Sequence, residues 1–265
     1  MFTSQIVGLA FSLSRGRTVS HLKATIALAL GLMSSHMASA GQFRYLGYDP
    51  KDVIVELTGE IRPSDFGTLK QMIERRLSSN TRIRWVSLNS QGGDLATAMR
   101  MGRYIRQLEF DTQVRDDARC LSSCVFILAA GLSKTVSGGN VVGIHRPYRT
   151  AVGSVSREEA TKKYQELADT VFAYFDEMHL PRSLPEQMLR IPTSEMTMLT
   201  FEEVQRFGLV GKDPVAEEID DAANAEKFGL SRTEYLARRN RALRTCTISS
   251  PGFSACYDAI LKGQR

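Results

Sequence analysis

The feature that most constrains this chain is the joint SLNSQGGDLATAM, residues 87–99. An alternating run rich in β-branched residues, 83–89, ends there and predicts a strand. A helical pattern follows at once over 94–108, with Leu95, Ala98, Met99, Gly102, Ile105 and Leu108 on one face. Between them stand Gly92 and Gly93. Adjacent glycines at a strand-to-helix joint serve either a tight turn or the close approach of another group to the backbone. Open α/β folds place ligands at the carboxyl ends of their strands, so the pair is also a candidate site.

The same rhythm recurs along the chain. DVIVELTGEI, after Lys51, reads as a strand, and 66–77 as a helix with Phe66, Leu69, Met72, Ile73 and Leu77 inward. A strand is expected over 112–120, a short and very apolar helix over 122–131, and a hairpin or strand pair over 134–145. Strand–helix alternation of this kind predicts an α/β fold built from crossovers. A long helix opens at Ser156 with Glu159 as capping box and carries Tyr164, Leu167, Val171, Phe172 and Phe175 on one face. A second box, Thr200 with Glu203, opens FEEVQRFGLV. Beyond Asp213-Pro214 the composition turns polar and helical, and Ser231 with Glu234 starts the basic helix SRTEYLARRNRALR. A boundary is placed near residue 215, and the arginine run is read as a solvated face.

The first forty residues differ from the rest. They hold Arg15, Arg17 and Lys23, no acid, the apolar run 24–33, and Ala38-Ser39-Ala40. This is the pattern of a secretory signal peptide cut after Ala40, and the apolar run is short of the ~20 residues that span a bilayer. The expected segments are therefore a leader at 1–40, an α/β domain at 41–215 and a helical tail at 216–265. Cleavage lowers Lys+Arg from 34 to 31 against 29 acids, and the net charge from +5 to +2. What basicity remains is weak support for a nucleic-acid partner, and none is expected. A periplasmic or secreted location follows, with no stable membrane span after cleavage. Two of the four histidines, His21 and His36, leave with the leader, and His145 and His179 stay. His179, in DEMHLPRS, is read as closing its helix.

The cysteines are Cys120, Cys124, Cys246 and Cys256. In an oxidising compartment Cys246 and Cys256, separated by TISSPGFSA, are expected to pair. No His/Cys cluster has zinc spacing, and neither a metal nor a cofactor is expected.

Two further features carry chemistry. Ser122 lies where a strand meets the buried helix, so its hydroxyl stands near the positive end of the helix dipole, with the Ser123 N–H free of intrahelical partners. The bland alternative is an N-cap serine. His145, in GIHRP, ends a strand.

In order, LNSQGGD, SSCVFILAAG, VVGIHRP and FEEVQRFGLV resemble the proteolytic subunit of the Clp protease and its exported relatives in the Clp/crotonase superfamily, over residues 51–211. The resemblance implies a repeated ββα spiral core, here with a C-terminal helical appendage. It implies Ser122 as nucleophile, His145 as general base, and Gly92, Gly93 and Ser123 as the source of oxyanion N–H groups. It also implies an extended peptide or protein substrate and self-association into a homo-oligomer. The Cys-x-Ser-x-Cys setting of Ser122 resembles predicted periplasmic members. A Cys120–Cys124 bridge requires Cys120 to lie outside the helix, because a spacing of four within a helix is poor disulfide geometry. Where the family carries its third triad residue, an aspartate, this chain reads IPTSEMTMLT. Glu195 is the acid at hand, with Thr193 and Ser194 as weaker partners for the ring. The expectation is an exported serine hydrolase, a peptidase with a Ser–His dyad or degenerate triad. The rival is a catalytically inactive scaffold for assembly or peptide binding. An acyl-CoA enzyme of the crotonase branch ranks third, because that chemistry is generally intracellular.

Overall fold

The computed structural model describes residues 41–49, 52–77, 82–139, 141–148 and 156–264. The expected leader, 1–40, lies outside them. Nine strands and nine helices are found among the described residues. The strands are β1 (Gln42–Asp49), β2 (Asp52–Ile61), β3 (Arg82–Gly93), β4 (Asp111–Val114), β5 (Cys120–Leu121), β6 (Ser133–Val136), β7 (Val142–Ile144), β8 (Thr197–Met198) and β9 (Gly211–Lys212). The helices are α1 (Asp65–Leu77), α2 (Leu95–Gln107), α3 (Cys124–Ala129), α4 (Arg157–Glu177), α5 (Ser183–Arg190), α6 (Phe201–Arg206), α7 (Pro214–Lys227), α8 (Arg232–Thr245) and α9 (Phe253–Leu261).

The fold is α/β with a mixed sheet. β3 is its trunk. Along one edge it pairs in parallel with β2, which pairs antiparallel with β1. Its other edge forks. Trp85 to Ser87 pair with β4, which leads to β6 and then antiparallel to β9. Further along, Ser90 pairs with Cys120 of β5, which leads to β7 and then antiparallel to β8. The fork brings the carboxyl ends of β3, β5 and β7 together.

Three expectations change in detail. β3 runs through Gly92 and Gly93 instead of stopping before them. The strand expected over 112–120 is two strands, because the turn at Asp116-Asp117 moves the chain from one branch of the fork to the other. β6 and β7 are not a hairpin, since each lies on its own branch.

α3 is buried along its whole length. α4 holds it in place: Tyr174 Oη donates 2.6 Å to the Phe126 carbonyl, and the Phe126 ring lies 4.7 Å from that of Phe175. Side chains of this size contribute about 1.5–3 kcal/mol each when fully buried. The Tyr174 hydroxyl also meets α2 at Gly102, where an added Cβ would lie 1.8 Å from it. α6 opens with the full capping box, Thr200 Oγ1 accepting from Glu203 N–H at 3.2 Å and Glu203 Oε2 from Thr200 N–H at 2.9 Å.

α7, α8 and α9 carry small apolar clusters of their own, Ala225 with Tyr235 and Leu261, and Ala242 with Cys246 and Ile260. Cys246 and Cys256 are disulfide-bonded, tying the end of α8 to α9. The arginine run is no plain solvated face: Arg239 reaches Asp221 and Glu217 of α7, Arg232 reaches Glu218, and Arg238 donates to the Leu261 carbonyl. Among the described residues no helix is long and apolar enough to cross a membrane.

Candidate active site

Ser122 sits between β5 and α3 with φ +56°, a left-handed backbone that a non-glycine residue adopts only when its surroundings impose it. They do so here. Its N–H donates to the Gly143 carbonyl at 2.9 Å, and its carbonyl accepts from Val125 N–H at 3.1 Å. Cys120 and Cys124, on either side, are disulfide-bonded, with Cys120 in β5 and Cys124 opening α3. The hydroxyl is thereby turned out of the helix start.

It meets His145, which follows β7. Ser122 Oγ lies 2.7 Å from His145 Nε2. Nδ1 lies 2.9 Å from the Arg146 carbonyl. A carbonyl only accepts, so Nδ1 carries the proton and Nε2 presents its lone pair to the serine O–H. This is the tautomer a general base needs. The Arg146 carbonyl is itself held: Arg146 N–H donates to Ile191 O at 3.3 Å and Nε to Leu189 O at 2.9 Å, both at the end of α5.

Glu195 is therefore not the ring's partner. It lies on an exposed turn after α5, its N–H bonded to the Pro192 carbonyl at 3.0 Å, and Nδ1 is occupied by the main chain. Nothing in the sequence singles out a backbone carbonyl, which every residue has. Thr193 and Ser194 are likewise exposed.

The glycine pair has two separate reasons. At Gly92, φ +94°, a Cβ would come within 2.7 Å of Ser122 Cβ and of the Leu121 carbonyl. At Gly93 a Cβ would lie 2.2 Å from the Ile61 carbonyl of β2. So β3 approaches the serine turn on one side and β2 on the other, and no side chain fits between. The Gly92 N–H, expected as an oxyanion donor, is taken by Ser90 Oγ at 3.0 Å, whose own proton goes to the Gly59 carbonyl at 2.5 Å. The Ile61 carbonyl accepts from Asp94 N–H at 2.8 Å, which leaves the Gly93 amide outside that contact. Ser123 is buried, and neither its N–H nor its Oγ has a partner among the described residues. A buried unsatisfied hydroxyl costs about 1–3 kcal/mol.

These groups open into one cleft of about 970 Å³. Gln91, Gly92, Gly93, Ser122, Ser123 and His145 line its polar side. Met99, Leu167, Met188 and Met196 line its apolar side, and Arg100 and Arg103 also face it. Met99 and Met188 lie on α2 and α5 and Met196 just before β8; of the three, the helical pattern marked only Met99 as inward-facing.

No protein-family model matches the chain, and no curated protein matches it in sequence.

Proposed function

We propose that this chain is an exported Clp-like serine hydrolase, acting on peptide or protein substrates. The observation that carries the reading is the 2.7 Å contact between Ser122 Oγ and His145 Nε2, at a strained serine facing a large cleft. In the reaction Ser122 Oγ attacks the substrate carbonyl carbon while its proton passes to His145 Nε2. The tetrahedral oxyanion is held by the N–H groups of Gly93 and Ser123. The imidazolium then returns its proton to the leaving amine, and water repeats the cycle on the acyl-enzyme. The Arg146 carbonyl fixes the ring by accepting a hydrogen bond from Nδ1–H, giving a dipole where a full triad has a charge. Two disulfides support an oxidising compartment.

A fluorophosphonate probe tests this on the oxidised, folded protein. It should label Ser122, and both Ser122→Ala and His145→Ala should abolish labelling. The missing carboxylate at Nδ1 favours the scaffold reading, and a folded protein that takes no label from mildly acidic to mildly alkaline pH would establish that reading instead.

A further inference from the structure

A second pocket, of about 370 Å³, opens where β6, the corner between α4 and α5, α6 and β9 meet. It shares no lining residue with the cleft at Ser122. Its charged lining is entirely basic: Lys134, His179, Arg206 and Lys212.

Lys134 is the unusual member. It is 3% exposed, yet its ammonium makes a single hydrogen bond, 3.3 Å to the Gly131 carbonyl, and no ion pair among the described residues. An ammonium has three protons to place, and burial without partners costs several kcal/mol. Asp213, whose charge reaches it, is already engaged by the Arg106 guanidinium and by the Val215 and Ala216 N–H groups at 3.0 Å each. Burial lowers the Lys134 pKa to about 8, with Asp213 pulling the other way. His179 Nδ1 lies 2.9 Å from Arg106 Nη2, which can only donate, so Nδ1 accepts and Nε2 carries the ring proton. His179 does more than close its helix. At the rim, Arg206 and Lys212 each touch one acid, Glu203 and Asp220, on their exposed sides.

We propose that this pocket binds a small molecule through a tetrahedral oxyanion, phosphate or sulfate, seated on Lys134 Nζ and flanked by His179, Arg206 and Lys212. The four donors come from different elements, so they approach from several directions. A tetrahedral oxyanion offers acceptors in several directions, whereas those of a carboxylate share a plane. The volume falls within the range of small-ligand pockets. The site is independent of the hydrolase reading.

Titration calorimetry and thermal melting of the full chain with inorganic phosphate, sulfate, acetate and chloride, at matched ionic strength, test it. Phosphate or sulfate should bind and raise Tm above the chloride control, and acetate should do less. Preference for phosphate would identify a phosphorylated ligand, and preference for sulfate a sulfated one. Lys134→Met should weaken binding roughly tenfold or more, by loss of a buried charged hydrogen bond. The exposed change Lys212→Gln should weaken it less and keeps the test decisive if Lys134→Met does not fold. Oxyanions that act no differently from chloride, or bind Lys134→Met as tightly as the parent, would overturn the proposal.

Discussion

His145 draws its orientation from main chain. In a triad with a carboxylate, exchanging the acid for an amide costs about 10⁴ in turnover, largely because the ring then adopts the wrong tautomer. Here the acceptor is the Arg146 carbonyl, which can only accept, so the tautomer is right without an acid. What the site lacks is the charge that stabilises imidazolium. Glu195→Gln should therefore leave the rate of fluorophosphonate labelling within about twofold of the parent, since an exposed charge is worth little. A loss as large as that of His145→Ala would return Glu195 to the site in the working state. In the sequence, strand ends and side-chain chemistry marked Ser122 and His145 as candidates, the resemblance paired them, and the fold brings their side chains together. The ring's partner was not, because it is an atom type common to every residue.

At the scale of elements, the short units around the site hold each other. β5 is two residues long and α3 six, too short for either to persist by itself. The Cys120–Cys124 bridge joins them across the serine. The alternation of apolar runs revealed β2, β3 and the longer helices, but not β1, β8, β9, α5 or α9. It did not reveal the fork at β3, because pairing partners depend on where a turn such as Asp116-Asp117 redirects the chain. The two disulfides should thus separate in their effects. By loop entropy alone, Cys120→Ala with Cys124→Ala should cost about 2 kcal/mol, and Cys246→Ala with Cys256→Ala about 2–3 kcal/mol. Only the first pair should also slow labelling at Ser122, by releasing the left-handed turn. Denaturant unfolding and labelling rates on both variants decide it. Equal labelling by the two would reduce the Cys120–Cys124 bridge to a simple staple.

For the whole molecule, Lys134 links the fold to pH. Burial disfavours its charged form, the charges of Asp213 and Asp111 favour it and Arg106 disfavours it, and the outcome is a pKa near 8 against 10.5 for an ordinary lysine. Below about pH 8 both the folded and unfolded chains hold the proton, and the folded state bears the whole cost of the buried charge. Between about 8 and 10.5 the folded chain has released the proton while the unfolded chain keeps it. The unfolded state then binds more protons, so the contribution of this residue to stability improves as pH rises. A shift of this size corresponds to roughly 3 kcal/mol. Other groups titrate in the same range, so the clean quantity is the difference between parent and Lys134→Met. In urea unfolding the variant should be the more stable by a few kcal/mol at about pH 7, and the gap should close towards about pH 10. Added phosphate should narrow the gap at neutral pH as well, since an anion bound to the charged lysine stabilises only the parent. A gap that stays constant with pH would mean that the ammonium is already partnered in the fold.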